Sequence, residues 1–89
     1  MRRIDLSRQA ARVVEKLPPK HRRQVIGKIT ELARDPNPPD ARALKGFSLM
    51  RADVGEYRIV YDVVDETVRV QVVGKRNDDE VYRILDRKR

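Results

Sequence analysis

The hydrophobic period of this chain changes at Phe47. Before that residue, apolar side chains recur at helical spacing. After it they alternate in twos, the repeat of a strand with one covered face. A chain with this division is α+β, with its helices and strands largely segregated along the sequence.

In the second half, Met50, Ala52 and Val54 alternate with Leu49, Arg51 and Asp53. Gly55-Glu56 suits a two-residue hairpin turn, because glycine takes positive φ at little cost. Tyr57, Ile59, Tyr61 and Val63 then alternate with Arg58, Val60, Asp62 and Val64. Asp65-Glu66 is a second turn, and Thr67 to Lys75 form another strand. Two-residue turns pair Val54 with Tyr57 and Val64 with Thr67. One face then collects Met50, Ala52, Val54, Tyr57, Ile59, Tyr61, Val63, Val68, Val70 and Val72. The other collects Leu49, Arg51, Asp53, Arg58, Val60, Asp62, Arg69, Gln71 and Val73. The first is almost wholly apolar and the second mixed, as in an antiparallel sheet covered on one side.

The first half supplies the cover. Residues 2–6 alternate and read as a short strand. Ser7 is a helix N-cap, and Ala10, Val13, Val14 and Leu17 form a helical stripe. Pro18-Pro19 ends that helix, with Pro19 suited to the first turn of the next. The second helix runs to about Arg34 and buries Val25, Ile29, Leu32 and Ala33. Asp35 to Asp40, with three prolines, is a rigid surface loop. At the far end, Asn77 or Asp78 caps a last short helix with the apolar stripe Val81, Ile84 and Leu85. Its acidic first turn and its Arg87-Lys88-Arg89 end complement the helix dipole. The expectation is therefore an N-terminal strand, an α-hairpin, a three-stranded antiparallel meander and a short C-terminal helix, with the helices packed on one face of the sheet.

The 89 residues make one domain the default, and a chain this short buries only roughly 60% of its unfolded surface. A stabilising partner is expected. The absence of cysteine excludes disulfides, thiol chemistry and cysteine-ligated metal, and fits a reducing compartment. No apolar run approaches the roughly 20 residues of a membrane span. Met1-Arg2-Arg3-Ile4-Asp5 carries no apolar segment of a secretory signal behind it. Residues 1–46 hold 12 Lys/Arg and 5 Asp/Glu, whereas residues 47–89 hold 9 of each, so the net charge of +7 lies wholly in the first half. Such a surface concentrates polyanions.

Several segments, in order, resemble one family. They are Lys16-Leu17-Pro18, Ala43-Leu44-Lys45-Gly46, Val54-Gly55-Glu56-Tyr57-Arg58-Ile59-Val60-Tyr61, and Val73-Gly74-Lys75-Arg76 followed by Val81-Tyr82. Together they resemble the RelE/ParE superfamily of toxins from bacterial type II toxin–antitoxin pairs, over nearly the whole chain. The resemblance implies the RelE-like fold. It also implies one of two activities: metal-free cleavage of messenger RNA on the ribosome, as in RelE-like members, or poisoning of DNA gyrase, as in ParE-like members. Arg76 and Tyr82 resemble the RelE branch, whose last helix supplies a functional tyrosine that ParE-like members generally lack.

Metal-free RNA cleavage requires three things. The ribose 2′-hydroxyl loses a proton, the pentavalent phosphate is stabilised, and the leaving 5′-oxygen gains a proton. Arginine suits the second task, because its planar fork matches phosphate. Arg51 and Arg58 share the open face in this register, and Lys75 and Arg76 end the neighbouring strand. The resemblance thus assigns Arg51 and Arg58 to the scissile phosphate, Arg76 to the leaving group and Tyr82 to a nucleotide base. Lys45, Lys75, Lys20, Arg22 and Arg23 are candidate RNA-backbone contacts. Structural readings stand beside these. Asp53 faces Arg58 and Asp62 faces Arg69, so both arginines fit cross-strand ion pairs. Tyr57 and Tyr61 fall on the core face. The Lys20-His21-Arg22-Arg23 cluster fits a solvated helix face, and His21 is remote in sequence from the sheet. Leu49 and Asp53 stand where better-studied relatives carry basic residues, which leaves the general base without a residue.

No cofactor or metal is expected. The implied partners are a cognate antitoxin, together with the ribosome and messenger RNA or, on the other reading, gyrase. The implied setting is the cytoplasm.

Overall fold

The computed structural model describes residues 1–77 and 79–87. The strand β1 (Arg3–Leu6) leads into helices α1 (Arg8–Lys16) and α2 (Pro19–Arg34). Strands β2 (Arg42–Ala43), β3 (Met50–Val54), β4 (Tyr57–Val64) and β5 (Thr67–Lys75) follow, and α3 (Glu80–Arg87) closes the chain. The sheet order is β1-β5-β4-β3-β2, with β1 parallel to β5 and the other pairs antiparallel. The expected α+β order is present. The two-residue strand β2, paired to β3, adds an edge that alternation over so short a run could not signal.

Local chemistry sets the α-hairpin. The Ser7 hydroxyl accepts the Ala10 N–H at 3.0 Å and donates to the Gln71 carbonyl at 2.7 Å, so one side chain caps α1 and ties it to β5. Leu17 ends α1, and Pro19 opens α2, where its missing N–H costs nothing. The Arg22 guanidinium donates to the carbonyls of Val14, Glu15 and Leu17 at 3.3, 3.2 and 2.9 Å. The Val14 carbonyl also accepts the Leu17 N–H, and those of Glu15 and Leu17 lie at the helix end, where carbonyls lack intrahelical partners. Val25, Ile29, Leu32 and Ala33 are buried, as their spacing implies. Buried Lys28 holds the end of the proline-rich loop by an ion pair to Asp40 (2.6 Å) and also pairs with Glu31 one turn along its own helix (3.5 Å). The Tyr61 hydroxyl donates to the Pro36 carbonyl of the same loop. Burial pushes that phenol up to about 12.

Both hairpin turns have two residues: Val54 pairs with Tyr57 and Val64 with Thr67. Gly55 and Asp65 carry the positive φ values, +56° and +52°. The uninterrupted alternation across β4 and β5 does not hold. Val60 pairs with Val72, but Tyr61 pairs with Val70, so Gln71 is an extra residue in a bulge. One extra residue reverses every face assignment beyond it. Val73, expected on the mixed face, therefore packs in the main core with Ile59, Tyr57 and the α-hairpin. Val72, expected on the hairpin's face, joins Val60 on the other side. Beyond β1, the open edge of β5 is completed by side chains. Gln9 donates to the Val73 carbonyl at 2.9 Å and accepts the Val73 N–H at 3.0 Å.

The bulge also fixes where α3 lies. The α-hairpin covers one face, as expected. Val81 and Leu85 instead pack with Leu44, Val60 and Val72 on the opposite face. Burial of each such side chain is worth about 1.5–3 kcal/mol. Gly74 lets α3 approach closely: a Cβ there would stand 2.7 Å from Glu80 Oε2 and 3.3 Å from Val81 Cγ1. The Glu80 carboxylate accepts the Lys75 N–H at this notch. Asp78, Lys88 and Arg89 lie outside the described residues, and with them part of the expected cap and of the basic helix end.

Candidate functional site

The face of the sheet opposite the α-hairpin is only partly covered, by α3. On it, β3 and β4 place Asp53 directly across from Arg58, and Arg51 across from Val60. The Arg58 Nε and Nη2 donate to the two Asp53 carboxylate oxygens at 2.8 and 3.2 Å. The Arg51 Nη1 approaches the same carboxylate at 3.5 Å. One anion thus sits between two guanidinium groups. Arg58 is the more enclosed of the two, with 17% of its side chain exposed against 30% for Arg51. The Asp53 hydrogen bond holds the Arg58 guanidinium above its ordinary range against the opposing effect of burial. Charge interactions with Tyr82 and Asp79 add to this.

Tyr82 comes from α3, half-buried beside this pair. Its ring lies 6.1 Å from that of Phe47, tilted by 46°, and both rings rest on the Val60–Val72–Val81 cluster. The result is a cationic pair next to an aromatic platform on a rigid sheet. Planar cations match phosphate oxygens, and aromatic faces stack on unpaired bases. Phe47 marks the change of period in the sequence but is not a candidate site residue there. It lies in an irregular segment whose path no periodicity gives, and only its meeting with Tyr82 marks it.

The other expected residues distribute as follows. Arg76 stands just beyond β5, exposed, with its N–H donating to the Glu56 carbonyl at 3.1 Å. Lys45 is exposed in the loop that contains Phe47. Lys75 belongs to the other face by alternation from Gly74. Lys20, Arg22 and Arg23 lie at the start of α2, on the side of the α-hairpin. Among them Arg22 is engaged in closing α1. His21 contacts the Tyr57 hydroxyl at 3.0 Å through Nδ1, on that same side, away from the arginine pair. Among the described residues, no three His, Cys, Asp or Glu side chains converge on a possible metal position.

The class is a small α+β domain: a mixed five-stranded sheet with an α-hairpin on one face and a third helix on the other. Residues 4–80 match the family model described as ParE toxin of type II toxin–antitoxin system, parDE. The chain belongs to this family, within the RelE/ParE superfamily of toxins, and structurally it groups with RelE. The isolated E. coli RelE toxin is 28% identical, with a TM-score of 0.74 over 99% of this chain and 98% of that one. The toxin of the intact E. coli RelBE toxin–antitoxin complex is 29% identical, with a TM-score of 0.72 over 84% of this chain and 96% of that one. The archaeal RelE–RelB complex from Pyrococcus horikoshii gives 26% identity and a TM-score of 0.75, over 86% and 97%. No curated protein matches the chain.

Proposed function

We propose that this toxin is a metal-independent, ribosome-dependent messenger-RNA endonuclease that halts translation and is neutralised by a cognate antitoxin. The observation that carries the proposal is the pairing of Arg51 and Arg58 beside Tyr82 on the open face of the sheet. In this reading the 2′-oxygen attacks the adjacent phosphorus and the P–O5′ bond breaks. The products are a cyclic phosphate and a 5′-hydroxyl end. Arg58 and Arg51 hold the phosphate oxygens and offset the charge that grows on them. Arg76 acts at the departing 5′-oxygen, and Tyr82 stacks on a base to align the strand. Lys45 meets the backbone at the rim. Lys20, Arg23 and Lys75 supply more distant charge toward ribosomal RNA, with Arg22 adding only the part of its guanidinium outside the α1 cap.

An antitoxin partner is supported by the RelE–RelB complexes of E. coli and P. horikoshii. It is also supported by the positive first half of the chain, which suits an acidic, apolar wrapping segment. The setting is the cytoplasm, where ribosomes and messenger are found. Among the described residues, no helix is long and apolar enough to cross a membrane. A second reading, a gyrase inhibitor without nuclease chemistry, is favoured by the ParE description of the matching family model.

Induction of the chain alone in bacteria separates the two, with protein synthesis, DNA integrity and messenger 5′ ends followed together. Translation arrest with new in-frame messenger cuts is the expected result. DNA damage with intact messenger would transfer the fold to the gyrase reading.

A further inference from the structure

The charge balance of the arginine pair is unusual for a site that takes phosphate. The protein carries a net charge of +7, yet its two most enclosed open-face cations share a carboxylate from their own sheet. Asp53 uses two oxygens against Arg58 and one of the same two against Arg51. This is the geometry a phosphate would adopt between two guanidinium groups. The hydrogen bonds are charge-assisted, and the partners are only partly solvated.

We infer that Asp53 is the affinity-setting residue of the Arg51–Arg58 anion site, a resident carboxylate that an RNA phosphate has to displace. The inference rests on the reading that this pair takes an RNA phosphate. Displacement leaves the Arg58 guanidinium in place, because it is seated over the sheet beside α3. Asp53 is itself 27% exposed and can turn toward solvent when a stronger anion arrives. The off-ribosome affinity is thereby kept low, and a correctly aligned strand gains more from the site than a loosely held one. An alternative is that Asp53 serves only as a strut that orients Arg58, and the two roles predict opposite signs.

The test measures binding of the full-length chain to a short fluorescent single-stranded RNA whose 2′-hydroxyls are methylated, so that cleavage cannot occur. Asp53→Asn removes the charge but keeps an acceptor for Arg58. It is expected to tighten binding about tenfold, equivalent to about 1.4 kcal/mol. It should also steepen the salt dependence by about 0.7, the slope of one further phosphate contact on a single strand. Asp53→Ala is expected to act in the same direction. Asp62→Asn is the control, since it removes the same charge from the other cross-strand pair on this sheet and is expected to change affinity less than about twofold. Adding Arg58→Ala to Asp53→Asn should abolish the gain. Weaker or unchanged binding in both Asp53 variants would overturn the inference in favour of a strut. An equal gain in Asp62→Asn would overturn it in favour of general charge. The cleavage reading is judged separately, by wild-type activity on ribosomes. A chain that does not cut but gains RNA affinity through Asp53→Asn upholds the resident carboxylate and fails only as a nuclease.

Discussion

The sheet carries two Asp–Arg forks built alike, and they occupy different surroundings. Asp53–Arg58 joins β3 to β4, and Asp62–Arg69 joins β4 to β5. In each, Nε and Nη2 of the arginine grip both carboxylate oxygens. The bonds of the second fork are as short or shorter, at 2.8 and 2.6 Å. Yet Arg69 has 43% of its side chain exposed, and its further electrostatic neighbour is another carboxylate, Asp5. Arg58 is enclosed at 17%, with a second cation, Arg51, on the same carboxylate and Tyr82 beside it. Pair geometry therefore does not mark a functional arginine. We propose that a second cation on the shared carboxylate, together with an aromatic neighbour, is what does. Arg69 has the carboxylates Asp62 and Asp5 as its electrostatic partners and lies far more open to solvent.

The largest expected contrast is catalytic. Arg58→Ala should lower messenger cleavage on purified ribosomes by about 100-fold or more, as the loss of one transition-state donor does. Arg69→Ala should stay within about twofold of wild type. Equal losses would dissolve the distinction between the forks. Next comes Tyr82→Ala, expected to reduce cleavage about tenfold through lost base stacking, which is worth about 1–3 kcal/mol. Tyr82→Phe should recover most of it. No recovery by phenylalanine would shift the role of Tyr82 to its hydroxyl.

The smallest contrast is in stability. The Arg69 hydrogen bond holds the Asp62 carboxyl below its usual range, against the opposing effect of burial. Its contribution is present above the unfolded value of about 3.9 and is lost as pH falls through the lower folded value. Asp62→Asn should therefore remove part of the acid-side fall in melting temperature, while shifting the neutral-pH melting temperature by less than about 4 °C. An unchanged acid limb would show that the second fork is not coupled to folding.

Much of this comparison is legible in the sequence. The two-residue turns at Gly55-Glu56 and Asp65-Glu66 set the register, and the register alone placed Asp53 opposite Arg58 and Asp62 opposite Arg69. The stripes in α1 and α2 gave the covered face, and proline marked the break between them. The bulge at Gln71 was not legible. Val70, Val72 and Val73 satisfy either face, so apolarity could not reveal the extra residue. That one residue moved Val72 to the open face, and with it the seat of α3 and of Tyr82. The site was legible only in part for a related reason. Arg51 and Arg58 lie on regular strands, whereas Phe47 and Arg76 lie on irregular backbone. The capping role of Arg22 depends on three carbonyls from the preceding helix, which residue type does not disclose.

The most direct measurement is messenger cleavage in a purified translation system, comparing the wild-type chain, Arg58→Ala and Arg69→Ala, with 5′ ends mapped. The account predicts in-frame cuts with 5′-hydroxyl ends for wild type and Arg69→Ala, and intact messenger for Arg58→Ala. Wild-type cutting by Arg58→Ala, or no cutting by any of the three while gyrase is inhibited, would contradict it.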